Sequence, residues 1–366
     1  MNIPYVNIKK QYKHEKKKLL KAIDKSLSSG KWVGGDEVEK FENSISKICG
    51  TKYCVSLNSG TDALTLALHL LGVSRGDEVI TPPNSFIAST AVIVHLGAKP
   101  VFVDVKSDQN INEHEIEKKI TKKTKAIMPV HLTGRMCSMD EIMKISKKYN
   151  IPVIEDCAQS ILSKYKKKFS GSWGDVGCFS AHPLKNLNAS GDGGYLTTNN
   201  EYIYKKIKNL RTHGMSDSRD NVSSFGYVSR MDNIQAAILN YRLKNLKKVI
   251  KKRRQNVDLY LKNLNLAKVY FPEEKKFEFN TYHTFVIQVE KRDQLKSFLK
   301  KKGIETTIHY PMPIHLQSAS KYLGYKKGDF IETESQSKKI LTLPINQYLT
   351  KKEILFVCKM INKFYD

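Results

Sequence analysis

Three short stretches of the chain carry side chains that could do chemistry together. Asp156 closes the apolar run IPVIED, and Gln159 follows it. A carboxylate at the carboxyl end of a buried strand faces the crevice where open α/β sheets bind ligands. The competing use of such an aspartate is a helix cap. In the second stretch, CFSAHPLKN, Ser180 ends another apolar run and offers a hydroxyl to an anion. Lys185 stands five residues beyond it, in a turn that begins at Pro183 and runs on to Gly191-Asp192-Gly193-Gly194. Lysine forms Schiff bases with carbonyls when burial or a nearby cation frees its amine; taken singly, a lysine is more often a surface residue. The third stretch, Asn58-Ser59-Gly60-Thr61-Asp62-Ala63, turns a strand into a helix and presents backbone N–H groups at a positive helix end. That arrangement suits a phosphate. No GxGxxG follows the first strand and no GxxxxGK[ST] occurs anywhere, so hydride transfer and ATP chemistry lose their usual support.

The elements that must position these residues are legible in the apolar pattern. Strands are expected at Tyr53 to Leu57, Glu78 to Thr81, Pro100 to Val105, Ala126 to His131, Val153 to Asp156, Val176 to Ser180 and Tyr195 to Thr198. Most lack strict alternation, which suits strands covered on both faces. Helices of crossover length fit between them at Asp62 to Leu71, Phe86 to Leu96, Ser138 to Lys148 and Asn200 to Arg211. The fold class is therefore α/β, with one large, mostly parallel sheet. After Gln235 the text becomes one long helical pattern to about residue 264, then β-like runs at Thr281 to Val289 and Ile304 to Tyr310. Thr350 and Glu353 make a capping box for a last amphipathic helix. Two domains are expected, residues 1–240 and 241–366.

Composition narrows the function. The 366 residues carry a formal charge of +26, yet only nine of the 62 basic residues are Arg. Base-edge and bidentate phosphate readout favour the guanidinium fork. The basic runs at Lys9 to Lys18 and Lys247 to Arg254 also have helical apolar spacing, so they read as solvated outer faces, and no nucleic-acid partner is expected. No segment is apolar enough to span a membrane and no signal-peptide core follows the basic start, so the expected location is the cytoplasm. Six scattered cysteines without CxxC spacing suggest reduced, packed thiols and no metal site.

Together the stretches resemble the DegT/DnrJ/EryC1/StrS family of sugar aminotransferases, a branch of the fold type I pyridoxal phosphate enzymes. The resemblance runs in family order through PYVNIKKQY, SGTDAL, GDEVITPPNSFIAST, GAKPVFVDV, AIMPVHLTG, VIEDCAQS, CFSAHPLKNLNASGDGG, RMDNIQAAIL and IHYPMPIHLQSA. It implies that Lys185 holds pyridoxal 5'-phosphate and moves the reacting proton, Asp156 pairs with the pyridine nitrogen, and Gln159 bonds the ring hydroxyl. It also implies that Gly60, Thr61, Asp62 and Ser180 take the phosphate and that Phe86, otherwise an ordinary core residue, stacks on the ring. His182, His309 and Tyr310 would meet the sugar. The implied reaction carries an amino group from glutamate or glutamine, by way of pyridoxamine 5'-phosphate, to a nucleotide-linked keto-deoxy sugar at C3, in a homodimer that serves polysaccharide biosynthesis. Two positions depart from the family pattern. Val228 stands where many relatives carry an Asn that reaches the phosphate across the dimer, and His182 where many C3 enzymes carry Tyr. Alternatives within the resemblance are a sugar dehydratase, in which His replaces the lysine, a cyclitol aminotransferase, or a non-catalytic regulator.

Overall fold

The computed structural model describes residues 1–216 and 220–366. Two helices lead in, α1 (Ile8–Ser28) and α2 (Asp36–Cys49), followed by β1 (Tyr53–Leu57) and α3 (Gly60–Leu70). The rhythm continues through β2 (Glu78–Thr81), α4 (Ala88–His95), β3 (Lys99–Phe102), a single turn α5 (Glu113–Ile116), β4 (Thr124–Ile127), α6 (Met139–Tyr149) and β5 (Ile154–Asp156). A hairpin of β6 (Lys164–Tyr165) and β7 (Lys168–Phe169) precedes β8 (Val176–Ser180), β9 (Gly194–Thr198) and α7 (Glu201–Leu210).

Seven of these strands, all but the β6–β7 hairpin, make one surface. The ladder order β1-β9-β8-β5 meets the order β4-β2-β3 through the parallel bridges Ile127 to Val153 and Val130 to Asp156. Only β9 runs against its neighbours; β8 with β5 and β2 with β3 and β4 are parallel. The expected mostly parallel sheet is thus present. Both faces are apolar because alternate side chains of a strand point to opposite sides. Leu196 and Cys178 pack with α3 and α7, while their neighbours Tyr195 and Phe179 pack with Phe41 and Ile45 of α2. Parallel strands place their carboxyl ends at one edge, so Leu57, Asp156 and Ser180 finish together there, with Gly194 in register with both Leu57 and Ser180.

The later part differs in two respects from the sequence expectation. The long helix is two helices, α8 (Asn233–Leu243) and α9 (Leu246–Asn263), broken at Lys244-Asn245. They share one core before they part, since Leu246 and Ile250 in the first turns of α9 bury with α8 beside the sheet. Ala236 and Leu239 of α8 bury beside the sheet, whereas Val257 and Tyr260 of α9 bury against β12, and Arg242 pins the end of α8 to the carbonyls of Asn188 and Ala189. The stretch 304–310 forms no strand: Ile304 bridges Ile3 and Thr307 bridges Thr342, single contacts with two different partners that cannot grow into a ladder. The remaining elements are β10 (Val269–Tyr270), β11 (Glu278–Phe279), β12 (Phe285–Val289), α10 (Arg292–Lys301), α11 (Ile331–Lys339), β13 (Ile340–Leu343) and α12 (Lys351–Tyr365). The α12 capping box between Thr350 and Glu353 is formed in both directions. Among the described residues no helix is long and apolar enough to cross a membrane.

Candidate active site

The turn after β1 is built around a close approach. Ser59 caps α3, its hydroxyl accepting from the Asp62 N–H at 3.0 Å. A methyl group on Gly60 would lie 2.7 Å from Ser180 Cβ and 3.0 Å from Ser180 Cα, and one on Gly194 would lie 2.2 Å from the Ser59 carbonyl carbon. Only glycine lets the helix start sit this close to β8 and β9. The first N–H groups of α3 have no partner within the helix and are free to seat an anion at its positive end. Gly60 and Thr61 supply them, whereas the Asp62 N–H is already held by Ser59. Ser180, half-buried at the end of β8, adds a hydroxyl that accepts from the His182 N–H at 3.3 Å.

Asp156 is buried at the end of β5. One carboxylate oxygen accepts from the Ser89 hydroxyl at 2.8 Å and the other from the Ala158 N–H at 3.1 Å. Burying a charged carboxylate costs several kcal/mol, and two hydrogen bonds to a charge return about 3 to 6 kcal/mol, so the balance is close. No Lys, Arg or His nitrogen lies within 4.0 Å of it among the described residues. A protonated nitrogen brought by a ligand would complete it. The helix-cap use of Asp156 survives only as the single bond to Ala158.

Lys185 is half-buried, its N–H closing a turn onto the His182 carbonyl at 2.9 Å. Loss of hydration brings its pKa down from 10.5 to about 8, while the negative field of Asp156 works in the opposite sense. Near pH 8, about half of such an amine is free to attack a carbonyl. Gln159 fixes its amide between two partners, accepting from the Thr133 N–H at 2.8 Å and reaching the Tyr310 hydroxyl at 3.4 Å. The Phe86 ring, 57% exposed, stands 6.1 Å from the Tyr310 ring at the mouth.

The far wall comes from the later part of the chain. His309 meets Thr342 Oγ1 at 3.0 Å and lies 5.9 Å from the Tyr5 ring. Burial and then the nearby Lys185 cation lower its pKa from 6.5 to about 4, so it is neutral at pH 7. Burial raises the Tyr310 phenol, with Asp156 adding to the effect, which keeps it a neutral donor and acceptor. His182 is exposed, its Nδ1 accepting from the Leu184 N–H at 3.3 Å.

The crevice therefore assembles residues drawn from nearly the whole chain: an anion seat, a carboxylate suited to a basic nitrogen, an amine of lowered pKa and a wall of neutral polar rings. Sequence reasoning overlooked Ser89, Thr133 and Tyr5. Ser89 had one signal, a hydroxyl in the otherwise apolar run that becomes α4; the other two hold the site through a backbone group and a ring face that no spacing announces. It also overlooked a brace below the site. Buried His131 bonds Glu155 at 2.9 Å and accepts from the Cys137 N–H, while Glu155 takes the N–H groups of Gly171, Trp173 and Gly174. These ligand-type atoms are spent on one another and on backbone, which makes the cluster with Cys157 a structural one.

Known proteins resemble the chain over its whole length. Residues 13–362 match the DegT/DnrJ/EryC1/StrS aminotransferase family. The chain is 38% identical, over 100% of its length and 99% of the relative's, to a protein of Geobacillus stearothermophilus named pleiotropic regulatory protein. It is 37% identical, over 99% of each chain, to the dTDP-3-amino-3,6-dideoxy-alpha-D-galactopyranose transaminase of Aneurinibacillus thermoaerophilus. Among solved structures it matches S. venezuelae DesV in complex with a ketimine intermediate, with a TM-score of 0.97, 33% identity, and 100% and 99% of the two chains covered.

Proposed function

The chain belongs to the DegT/DnrJ/EryC1/StrS aminotransferase family, and on that premise we propose that its crevice moves an amino group from glutamate or glutamine to C3 of a nucleotide-linked keto-deoxy sugar. The cofactor is pyridoxal 5'-phosphate, with pyridoxamine 5'-phosphate as its amine-carrying form. Several relatives are named as transaminases of 3-amino or 3-oxo sugars carried on dTDP or UDP, which supports both the acceptor class and the position.

The observation that carries the proposal is the half-buried Lys185 in the same crevice as the buried, cation-free carboxylate of Asp156, close enough for the Asp156 charge to act on its amine. When bound, the cofactor supplies an aldehyde for the donor amine and a ring that withdraws electrons from the reacting carbon. Gly60 and Thr61, with Ser180, would hold its phosphate; Asp62 closes the helix turn beneath. Asp156 would keep the ring nitrogen protonated, Gln159 would meet the ring hydroxyl through its Nε2, and Phe86 would cover one face. Lys185 would take a proton from one carbon and return it to another, a task for which a pKa near the working pH is suited. His309, Tyr310 and His182 would receive the sugar hydroxyls, which need directed hydrogen bonds.

The wider reading is also a proposal. Exposed Phe86, Leu184 and Val228 leave apolar area near the crevice, as a homodimer that shares its site across two subunits would require. Val228 pairs with Thr212 through its backbone, and its side chain cannot bond a phosphate. The division near residue 240 is supported by a second core built mostly from later residues, although Ile3 crosses into it and Leu246 and Ile250 remain with the sheet core. A cytoplasmic place in polysaccharide biosynthesis follows from the acceptor class. A regulator without catalysis, as the name of the Geobacillus relative suggests, would not need a lysine of lowered pKa opposite a buried carboxylate. The test is Lys185→Ala: it should leave circular dichroism unchanged and abolish both the visible cofactor absorbance and amino transfer to a panel of keto-sugar nucleotides. Normal transfer by Lys185→Ala would end the assignment.

A further inference from the structure

A cavity of about 690 Å³ opens away from the crevice, against about 50 Å³ for the recess beside Lys185. It lies between the last turn of α2, the β6–β7 hairpin, β11 and the first turns of α9. Its wall is apolar: Ile48, Leu162, Phe169, Ile250 and Phe279. None of these residues belongs to the proposed active site. The volume falls in the range of small-ligand sites, and an apolar hollow of this size left to water is costly.

The rim is cationic. Lys47, Lys164, Lys247 and Lys251 stand around the wall, and among the described residues none has a carboxylate within 4.0 Å. Asp258 is the acid in the lining. Arg254 is paired with Glu274 at 2.7 Å and lies 4.3 Å over the Phe279 ring, and Lys164 lies 4.5 Å over the Phe169 ring. Four unpaired ammonium groups around one hollow repel one another, and an anion among them would relieve that repulsion. The chain's excess lysine is thus gathered in part around an apolar floor.

We propose that this cavity is a second binding site, for an amphipathic anion: a single apolar chain ended by a carboxylate or a phosphate. The five apolar side chains take the chain and the four lysines take the head. A free amphiphile fits better than a bilayer, because membrane association uses apolar side chains that protrude, whereas these line a concavity. The site is separate from amino transfer, so it stands whether or not the sugar assignment does.

Calorimetric titration of the full-length holoenzyme with decanoate, decyl phosphate, decanol and inorganic phosphate tests it. One decanoate or decyl phosphate should bind per chain, at least tenfold more tightly than decanol or inorganic phosphate, and the tighter of the two heads names the source. Gln255→Trp, at an exposed position of α9 beside the hollow, should fill it and weaken binding at least tenfold. Lys251→Glu should weaken both anions and spare decanol, and neither change should alter the rate of amino transfer. Equal affinity for decanol, or binding untouched by Gln255→Trp, overturns the proposal. So does a shift in oligomer size by sedimentation for Gln255→Trp when the original chain takes up no decanoate, since a second copy would then be the occupant.

Discussion

The hydroxyl of Ser89, on α4, donates to the Asp156 carboxylate, on β5, across 2.8 Å. Both residues are buried, so this bond joins a crossover helix to the strand end that carries the proposed ring contact. Removing one hydrogen bond to a buried charge costs about 1.5 to 3 kcal/mol. Ser89→Ala should therefore slow amino transfer by roughly tenfold to a hundredfold, with a smaller effect on the KM for the acceptor. Ser89→Thr keeps a hydroxyl and should restore most of the rate. A loss of rate that Thr does not rescue would mark Ser89 as packing alone.

Asp156→Asn tests the partner of that bond. The amide keeps the shape and loses the charge, so cofactor should still bind while transfer falls by about 3 kcal/mol or more in barrier, the size of loss seen on deleting an electrostatic stabiliser. Near-full activity in the Asn variant would leave Asp156 as the cap of the Ala158 N–H.

Lys185 gives a prediction in pH. Its folded pKa, about 8, lies below the unfolded value near 10.5, so between these limits the unfolded chain binds more protons and stability rises with pH. Below pH 8 the amine is charged in both states and the cost of burying it is complete, on the order of 3 kcal/mol. Cofactor-free Lys185→Met should therefore be more stable than the original chain at pH 7, by up to that amount, and the advantage should shrink from pH 8 to pH 10.5. Urea unfolding across that range measures it. A constant difference would mean that the ammonium is not desolvated.

Much of this site could be read before any coordinates. The residues that turn sharply at strand ends, Gly60, Asp156, Ser180 and Lys185, declare themselves through local sequence, because strand, turn and helix signals are local. The strand limits Tyr53–Leu57, Glu78–Thr81 and Val176–Ser180 coincide with expectation for the same reason. What escaped depends on contacts far apart in sequence. The break at Lys244-Asn245 is invisible in a continuous helical pattern, because Leu246 and Ile250 beyond it keep the same apolar spacing and bury in the same core as α8. The hydrogen bond from Ser89 to Asp156 spans 67 positions. Lys247, Lys248 and Lys251 of the basic run are exposed, as their helical spacing implied, but the apolar floor beside them comes from Ile48, Leu162, Phe169 and Phe279, which that spacing cannot show.

The close approach at Gly60 offers a test of the anion seat. A methyl group at 2.7 Å from Ser180 Cβ must push the first turn of α3 away from β8, since the neighbouring Ser180 Cα is backbone and cannot swing aside. Gly60→Ala should weaken retention of pyridoxal phosphate on dialysis by at least tenfold and leave retention of pyridoxal, which has no phosphate, nearly unchanged. Equal loss of both would place the damage in the sheet.

The acceptor wall separates the two halves of the reaction. His309 is held by Thr342 and is neutral at pH 7, so it can exchange hydrogen bonds with a sugar hydroxyl without bringing a charge beside Lys185. His309→Ala should slow the keto-sugar half-reaction by about tenfold to a hundredfold, the scale of one or two lost hydrogen bonds, and spare the glutamate half-reaction. Tyr310→Phe is a different lesion, because the Tyr310 hydroxyl also accepts from Gln159 Nε2 at 3.4 Å. It should weaken the keto-sugar half-reaction and, through Gln159, shift the visible absorbance of the bound cofactor. The two halves can be followed apart through the aldehyde and amine forms of the cofactor in single-turnover experiments. If His309→Ala slows both halves equally, the 304–310 segment supports the fold, and the C3 acceptor assignment loses its local footing.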